Sequence, residues 1–372
     1  MKILLQVNLA WNLVHFRKSL IENLIESGHD VVALCPIDHT VPDLEAMGCR
    51  VVHLEMDNKG LSPRRDLGLV FRLWRHFRQE CPDIILSYTI KNNIYGAFAA
   101  RLLGIPFLPN VTGLGTAFLS SKLLERLTVA LYRFAFRALP RVMFQNADDL
   151  DLFVERKIIK KDRSVLLPGS GIDLDHFVPE PLPEGRSKLV FLMISRLLRD
   201  KGVLEFVEAA RQLRAQGVPA SFQILGPVGA DNRTAIGRDT VESWVAEGVV
   251  EYLGATTDVR PFIAAADCVV LPSYREGMPR VLLEAAAMGR PCITTDVPGC
   301  RGAVDKGVSG LLCKPANAED LALAMHAIVD MDPHTRQEMG RAGRTKMERE
   351  FDQDRVVDIY RREIAEITGQ VV

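Results

Sequence analysis

The sequence lacks the short motifs that identify many nucleotide-binding and hydrolytic enzymes. It contains no P-loop, no G-x-S-x-G serine elbow and no H-E-x-x-H zinc motif, and no G-x-G-x-x-G follows the first predicted strand. Each of these motifs supplies groups that its chemistry requires, such as backbone amides for phosphates or histidines for zinc. Their absence argues against P-loop NTPases, serine hydrolases and zinc proteases, and weakens the case for a dehydrogenase.

Long apolar runs and paired cysteines are also missing. No apolar run approaches the ~18 residues of a transmembrane helix, and the opening run, residues 1–7, is too short for a signal peptide and fits a first strand. The seven cysteines are scattered, odd in number and without C-x-x-C spacing. They predict buried thiols in a reducing cytoplasm rather than disulfides or a zinc site.

Charge of either sign is not in large excess, since the formal net charge is -1. The first 165 residues nevertheless carry 22 Lys and Arg against 17 Asp and Glu, and the remainder carries 24 against 30. A basic first part and an acidic second part favour different partners for each, although chance variation of the surface explains so small a difference equally well.

Short apolar strands alternate with amphipathic helical stretches in both halves, as in doubly wound α/β domains. Because 372 residues exceed one ordinary core, two domains are expected. A segment rich in Pro and Gly, 166–183, separates the halves. We therefore predict domains at 1–170 and 171–351, with a C-terminal helix within 352–372 that packs back on the first. The predicted strands lie at 3–7, 30–34, 50–54, 84–87, 106–110, 142–145, 189–194, 221–225, 249–253, 268–271, 291–294 and 311–313.

Two carboxylates, Glu276 and Glu284, lie eight residues apart where a loop is predicted to meet a helix. The loop follows the predicted strand 268–271, Pro279 suits the first helical position, and Gly289 ends the helix. Ligands of open α/β sheets bind beyond the carboxyl ends of strands, and a helix N-terminus favours an anion. We predict that Glu276 binds a sugar and Glu284 a ribose, with backbone amides near a diphosphate. A solvated loop glutamate beside an ordinary helix glutamate explains the spacing alone equally well.

Two basic residues, Arg196 and Lys201, follow the predicted strand 189–194 and precede a helix that begins near Leu204. They should therefore face the same crevice as Glu276. A guanidinium can bind two phosphate oxygens at once, and a lysine adds a mobile charge. Together they would stabilise a departing nucleoside diphosphate, which is often the role of a divalent metal in other enzymes. A solvated basic loop is the alternative.

Metal-binding and cofactor signatures are weak. Of the two D-x-D strings, residues 149–151 fall in a helical stretch and residues 173–175 in the interdomain segment, so we predict no metal at either. The Gly-rich run 112–116 follows a strand, but it lacks the last glycine of a dinucleotide fingerprint and an evident partner acid.

A basic and apolar stretch, residues 120–141, carries Lys122, Arg126, Arg133 and Arg137 among Leu, Val, Phe and Tyr. Such a helix can lie on an anionic membrane surface, with apolar groups inserted and cationic groups on phosphates. Residues 63–78 form a second such stretch. For either one, a helix packed on the sheet with a solvated basic edge is the alternative. A sequence pI near 6.7 and the lack of a binding module exclude nucleic acid as the preferred partner.

Several segments together resemble one known family, the retaining glycosyltransferases of family 4. These segments are SRLLRDKG, EGMPRVLLE, PGSGIDLDHFVP and DVPGCRGAVDKGVSGLLCKPANAEDLALAM, and the likeness extends over essentially the whole chain. The runs SYTIKNNIYGAFAARLLGIP, NVTGLGTAFLS and FQNADDLDLF are similar to the branch of N-acetylgalactosaminyltransferases that extends bacterial polyprenyl-diphosphate-linked oligosaccharides.

The resemblance implies a glycosyltransferase-B fold, in which two Rossmann-like domains face each other across a cleft and the second binds the donor, with no required metal. It gives Arg196 and Lys201 the donor diphosphate, Glu276 the donor sugar and Glu284 the ribose. The acceptor-side and remaining donor-side residues that it implies are Asn8, Asn12, His15, Lys91, Thr112, Gly113, Gly277, Met278, Pro279 and Arg280.

This chain departs from the family pattern at three places. Many relatives have a Gly pair in the first loop, where this chain has Leu9 to Asn12, and many have an acid where Gly302 stands. The role of that acid is therefore absent or shifted, with Asp305 as the nearest candidate. Several relatives also carry a functional His where Val111–Gly113 follow the predicted strand.

The expected activity is retaining transfer of a hexose or N-acetylhexosamine from a UDP-sugar to a polyprenyl-diphosphate-linked sugar, with no cofactor. The protein would be cytoplasmic and peripheral at the inner face of the bacterial cytoplasmic membrane. Three alternatives remain: a sugar-nucleotide epimerase of similar fold, a phosphorylase, for which no Lys-bound cofactor segment is recognisable, and a non-catalytic sugar-nucleotide-binding subunit of a glycan assembly complex.

Overall fold

A computed structural model describes residues 1–57, 62–114, 122–230, 232, 234–370 and 372, without the side chains of 63, 122 and 123. The chain divides into two compact units. The first unit combines Met1–Gly171 with Gln353–Val372, and the second is Ile172–Asp352.

The first unit is built on a sheet of parallel strands in the order β3-β2-β1-β4-β5-β6-β7. The order reverses between β1 and β4, which makes the carboxyl ends of these strands the topological switch point. The strands are β1 (Lys2–Gln6), β2 (Asp30–Cys35), β3 (Arg50–His53), β4 (Ile84–Tyr88), β5 (Phe107–Val111), β6 (Val142–Phe144) and β7 (Ser164–Leu166).

Helices cover both faces of this sheet, as expected for strands that are apolar on both sides. One face packs against α4 to α7 and the other against α1 to α3 and the C-terminal helix α14. The helices are α1 (Ala10–Phe16), α2 (Lys18–Glu26), α3 (Val41–Ala46), α4 (Pro63–Glu80), α5 (Ile90–Leu103), α6 (Lys122–Phe136), α7 (Ala147–Glu155) and α14 (Gln353–Thr368).

The second unit repeats this organisation with the parallel order β10-β9-β8-β11-β12-β13, and its switch point lies between β8 and β11. Its strands are β8 (Leu189–Ile194), β9 (Ala220–Leu225), β10 (Glu251–Tyr252), β11 (Cys268–Leu271), β12 (Cys292–Thr295) and β13 (Gly310–Cys313). Its helices are α8 (Val203–Ala215), α9 (Arg238–Ala246), α10 (Arg260–Ala265), α11 (Arg280–Ala287), α12 (Ala318–Asp330) and α13 (Pro333–Lys346), followed by a π-helical turn at Met347–Phe351.

The predicted α/β class with two doubly wound sheets is confirmed, and local details differ. The segment after β1 forms two helices, α1 and α2, because the backbone at Arg17 between them leaves helical values (φ -135, ψ 10). Pro279 is the N-cap of α11 rather than its first helical residue. β7 was not predicted, because a strand of only three residues is too short to carry a periodic signal.

The structure can be searched for helices that could span a membrane and for groups of side chains that could bind a metal. No helix in the described ranges combines the length and apolar character needed to cross a bilayer. Within the same ranges, no group of three or more His, Cys, Asp or Glu side chains could hold a metal ion. In the first D-x-D string, Asp149 is buried and exchanges hydrogen bonds with Asn146 at the start of α7. In the second, Asp173 caps the turn that leads to His176.

Candidate donor site

Two loops meet beyond the carboxyl ends of β8 and β11, at the switch point of the second sheet. The backbone N–H of Tyr274 donates to the carbonyl oxygen of Asp200 over 2.9 Å. Gly202 has a φ of +75, and a Cβ built on it would lie 2.1 Å from the carbonyl oxygen of Pro272. Only glycine fits there, so the loop that carries Lys201 is held directly against the loop that carries Glu276.

Lys201 and Glu276 form the central contact of these loops. The Nζ atom of Lys201 donates to Oε1 of Glu276 in a salt bridge, with 21% of the lysine side chain and 13% of the glutamate side chain exposed. A third loop supports them, since the Glu276 N–H donates to Pro298 over 3.2 Å and Gly299, with φ +81, packs against the Glu276 carbonyl. Lys201 and Glu276, both predicted site residues, are therefore in direct contact where the loops after β8, β11 and β12 meet.

Arg196 lies at the start of the first of these loops, two residues after β8 ends at Ile194. Its side chain is exposed and forms no ion pair with the described residues. A guanidinium without a carboxylate partner, next to a paired lysine, can bind an incoming phosphate without first breaking a salt bridge.

Glu284 lies in the second turn of α11, where it pairs with a residue of its own helix. The Nε atom of Arg280 donates to Oε1 of Glu284 over 2.9 Å, and 13% of the Glu284 side chain is exposed. Burial raises the pKa of the Glu284 carboxyl, and the charge of Arg280 opposes that rise. The two predicted donor residues thus form an i,i+4 pair, which the sequence interpretation did not consider.

The residues between the acids line the start of α11. Gly277 and Pro279 are buried, and Met278 is half-buried against the core beneath the helix. Where many relatives of the resembled family have an acid, a Cβ on Gly302 would lie 3.4 Å from the Met278 methyl group. Asp305, the candidate replacement, accepts from Lys346 Nζ over 2.8 Å.

The residues predicted to lie on the acceptor side follow the carboxyl ends of β1, β4 and β5, which are neighbours in the first sheet. Asn12 donates to the Asn8 side chain over 2.9 Å, and Nδ1 of His15 lies 2.9 Å from the Trp11 carbonyl oxygen. Lys91 lies on the first turn of α5, with its Nζ 2.9 Å from the Asp57 carbonyl oxygen and 3.3 Å from Oδ1 of Asp66. Thr112 and Gly113 directly follow β5.

Trp11 was missed in the sequence interpretation. Its ring stacks on His15 with centroids 4.1 Å apart and meets Phe16 edge-on at 5.4 Å. Its backbone N–H donates to Asp38 over 3.0 Å, yet 37% of the residue is exposed. The ring is thus held by His15 and Phe16, while more than a third of the residue stays exposed beside the end of β1. A tryptophan in the short segment between Asn8 and Asn12, which were themselves predicted site residues, was the available signal.

Buried amides beneath this edge were also missed. Gln6 donates to Asn92 over 2.8 Å, and Asn110 donates to the Tyr360 hydroxyl over 2.8 Å. Thr89, at the end of β4, has a φ of 74, a strained value for a β-branched residue. The polar run from Ser87 to Asn93 after an apolar strand was the signal for this network.

The residues predicted to face a membrane lie on α6. Arg126, Arg133 and Arg137 are exposed, as are Leu127 and Phe134. The side chain of Lys122 lies outside the described part of the chain, as do residues 120 and 121 of the predicted stretch.

Each of the two units matches the model of a known protein family. The model described as "Glycosyl transferase 4-like domain" matches residues 15–169, and that described as "Glycosyl transferases group 1" matches residues 188–331. Among solved structures, a glycosyltransferase from Rickettsia africae is similar with a TM-score of 0.79 at 18% identity, covering 98% of each chain. Anabaena HepE in complex with UDP has a TM-score of 0.78 at 19% identity, covering 98% of this chain and 100% of that one.

Sequence relatives extend over most of the chain. An N,N'-diacetylbacillosaminyl-diphospho-undecaprenol alpha-1,3-N-acetylgalactosaminyltransferase of Campylobacter jejuni is 29% identical over 84% of this chain and 85% of its own length. A UDP-Gal:alpha-D-GlcNAc-diphosphoundecaprenol alpha-1,3-galactosyltransferase of Escherichia coli is 28% identical over 73% of each.

The two family models define a glycosyltransferase, and the likeness to the solved structures shows that it has the glycosyltransferase-B fold. Within that class, the chain belongs to the glycosyltransferases that join a 4-like N-terminal domain to a group 1 C-terminal domain.

Proposed function

We propose that the protein transfers a hexose or N-acetylhexosamine from a UDP-sugar to a polyprenyl-diphosphate-linked sugar, with retention of anomeric configuration and without a metal. The observation that carries this proposal is the convergence of Arg196, Lys201 and Glu276 on the switch point of the second sheet. The acceptor class is supported by the two relatives named for diphosphoundecaprenol acceptors. UDP as the nucleotide is supported by the name of the Escherichia coli relative and by the HepE complex.

The donor site assigns one role to each charged group. Arg196 binds diphosphate oxygens, and Lys201 adds a second positive charge that is oriented by Glu276. As the bond between the anomeric carbon and the phosphate oxygen breaks, negative charge develops on the diphosphate, and two fixed cations stabilise it most in the transition state. These cations take the place that a divalent metal has in other transferases.

In this mechanism the acceptor hydroxyl attacks the anomeric carbon from the side that the diphosphate leaves. A new carbon–oxygen bond forms on the same face, and an oxygen of the leaving β-phosphate takes the hydroxyl proton. The products are the extended lipid-linked sugar and UDP. Glu276 is not a nucleophile in this scheme, because its carboxylate is engaged by Lys201; it holds the lysine and a donor-sugar hydroxyl.

The remaining residues complete the two substrate sites. Gly277, Met278 and Pro279 bring the backbone close to the donor, and Glu284 binds the ribose, exchanging its contact with Arg280 for a ribose hydroxyl. The acceptor sugar binds the first unit near Asn8, Asn12, His15, Lys91, Thr112 and Gly113.

The exposed face of α6 is proposed to rest on the inner face of the cytoplasmic membrane. Arg126, Arg133 and Arg137 alternate there with exposed Leu127 and Phe134, which combines cationic groups for anionic lipids with apolar groups for insertion. Such contact would bring the enzyme to a lipid-linked acceptor.

A two-stage experiment tests the function. UDP-, GDP- and ADP-sugars are first ranked by thermal shift, and the stabilising donor is then incubated with polyprenyl-diphosphate sugars in the presence of EDTA. We expect stabilisation by a UDP-sugar, transfer that resists EDTA, and an α-linked product by NMR when the donor is an α-linked UDP-sugar. A β-linked product, a metal requirement, or epimerisation of the UDP-sugar without acceptor would each overturn the corresponding part of the proposal.

A further inference from the structure

A cavity of about 550 Å³ lies in the first unit, between the ends of α6 and α7 and the segment that leads into β7. Six of its lining residues are basic, and none is acidic. The basic residues are Arg133, Arg137, Lys157, Lys160, Lys161 and Arg163. All residues of this region belong to the described part of the chain.

The cavity is remote from the ends of strands at which the substrates bind. Arg137 precedes β6 and Lys161 precedes β7, and these two strands are parallel with Val142 opposite Ser164. The cavity therefore lies at the amino ends of the strands. Thr112 and the other acceptor-side residues lie at the carboxyl ends. A ligand in this cavity would not occupy the acceptor site.

The basic residues of the cavity differ from their neighbours in lacking carboxylate partners. Arg156 pairs with Glu125 at 2.8 Å, and Arg141 pairs with Glu363 at 3.1 Å. None of the six cavity residues forms an ion pair with a carboxylate of the described chain. Asp162, between two of them in sequence, does not line the cavity. The cavity thus concentrates positive charge that the protein leaves unbalanced.

Part of this charge is fixed in place. The Nη2 atom of Arg133 donates to the Arg156 carbonyl over 2.6 Å, and Arg137 lies over the Phe134 ring at 4.5 Å. Arg163 donates to the Arg137 carbonyl over 3.4 Å. These contacts tie up few of the N–H groups, so each guanidinium keeps donors for an anion.

The floor of the cavity is apolar and buried. It is formed by the buried side chains of Phe136, Ile158 and Ile159. A low-dielectric floor beneath a ring of cations strengthens their attraction for an anion, and three guanidiniums match the fork geometry that phosphate prefers.

We propose that this cavity is a second anion-binding site that takes a phosphate group carrying more than one negative charge or flanked by other anions. Such a group can come from two sources, the headgroups of anionic membrane lipids or a soluble diphosphate. The exposed Phe134 beside the cavity favours a lipid headgroup. The inference shares Arg133, Arg137 and Phe134 with the membrane contact proposed for α6 and rests on that part of the proposed function for the lipid source, but it does not depend on which sugar the enzyme transfers.

The test compares two full-length triple variants of equal charge. Lys157→Gln/Lys160→Gln/Lys161→Gln removes three charges from the cavity, and Lys188→Gln/Arg214→Gln/Arg238→Gln removes three exposed charges from the second unit. Binding is measured to vesicles of phosphatidylcholine with phosphatidylglycerol, to pure phosphatidylcholine vesicles, and to inorganic diphosphate by calorimetry. UDP thermal shifts confirm that both variants fold.

We expect the cavity variant to lose on the order of 10²-fold in affinity for the anionic vesicles, at roughly fivefold per charge near a membrane surface, and the second-unit variant to keep it. Wild-type binding should weaken with added salt. Binding of diphosphate alone, lost in the cavity variant, would support the site and identify a soluble ligand. Equal affinities of both variants for every probe, or absence of binding by the wild type, would overturn the proposal.

Discussion

Lys201 and Glu276 form a salt bridge across 75 residues of sequence, joining the loop after β8 to the loop after β11. Four contacts between loops hold this pair in place, and it lies at the point where the strand order of the second sheet reverses. If Glu276 orients Lys201 toward the donor, its removal should affect the reaction more than the fold.

We expect Glu276→Gln to lower turnover by on the order of 10²-fold, because the amide neither orients the lysine charge nor binds a sugar hydroxyl as strongly as a carboxylate. Steady-state kinetics with the preferred UDP-sugar measure this. Glu251→Gln makes the same replacement of a carboxylate by a carboxamide at an exposed residue of β10. It is the control and should leave turnover unchanged. A Glu276→Gln enzyme with wild-type turnover would remove Glu276 from the mechanism.

Arg196→Ala should lower turnover by on the order of 10²-fold or more, as for other lost contacts to transition-state charge. Because the Arg196 side chain is exposed and forms no ion pair with the described residues, its melting temperature should stay within a degree or two of wild type. Arg196→Lys should recover part of the rate, since it keeps the charge and loses the bidentate geometry. Arg199→Ala, on the same loop, is the control. Unchanged turnover of the alanine variant at position 196 would exclude the proposed role.

Gly202→Ala should destabilise the protein and weaken donor binding together. The new Cβ would lie 2.1 Å from the Pro272 carbonyl oxygen, in addition to the cost of a φ of +75. Gly217→Ala is a matched control, because its φ is +73 and no atom lies within 4 Å of a Cβ there. Backbone strain alone should lower the free energy of unfolding by about 1 kcal/mol in either variant. The clash at position 202 should lower it by about a further 1–3 kcal/mol.

Chemical denaturation and the thermal shift caused by UDP measure the two effects. We expect both variants to lose stability and only Gly202→Ala to lose most of the UDP shift. Equal behaviour of the two variants would mean that the contact between the two loops does not position the donor site.

Most strands, and the positions of Arg196 and Glu276 after them, could be predicted from the sequence because they depend on local patterns. Apolar runs of the β8 and β11 kind identify buried strands, and polar residues directly after them must lie at the carboxyl edge. The salt bridge between Lys201 and Glu276 could not be predicted in this way, because it depends on how the two loops pack through Gly202 and Pro272. The Arg280–Glu284 pair could have been predicted, since i,i+4 charges meet on any helix.

The cavity lined by Lys157 and Arg133 could not be predicted from the sequence either. No local pattern connects residues 133–137 with residues 157–163, and they come together only because β7 pairs with β6. β7 itself has three residues of which none is buried, so its apolar signal is too weak to predict the pairing.

Stability should depend on pH through Glu284. Burial raises the pKa of this carboxyl above its ordinary value of 4.5, so the folded state holds more protons than the unfolded state between the two values. The contribution of Glu284 is therefore most favourable below 4.5, falls as pH rises through the folded pKa, and is constant above it. Glu284→Gln should remove this fall, so that the variant gains stability relative to wild type between pH 4.5 and neutrality.

Denaturation curves of wild type and Glu284→Gln at pH 4.5 to 7.5 measure that difference. Glu208→Gln, which removes a half-buried carboxylate that also pairs with an arginine, is the control for loss of a paired charge. The same Glu284→Gln variant should bind UDP roughly 10- to 10²-fold more weakly, because a hydrogen bond to a charged group is lost. Tighter UDP binding by the variant would contradict the ribose assignment.

Trp11 should contribute to acceptor binding. Its ring is held on His15 by stacking and its backbone by Asp38, so the exposed part of the ring is already positioned near the end of β1 before a substrate arrives. A sugar ring presents an apolar C–H face that can pack on such a surface, and an aromatic contact of this kind contributes about 0.5–1.5 kcal/mol beyond its buried area. We expect Trp11→Ala to raise the KM for the lipid-linked acceptor about 3- to 10-fold while the KM for the UDP-sugar stays unchanged. Trp11→Phe should keep part of the effect because it retains a flat ring. Phe71→Ala, which removes a more exposed aromatic ring from α4, is the control for nonspecific loss of apolar surface. A rise in both KM values, or in neither, would show that Trp11 does not distinguish the acceptor site from the donor site.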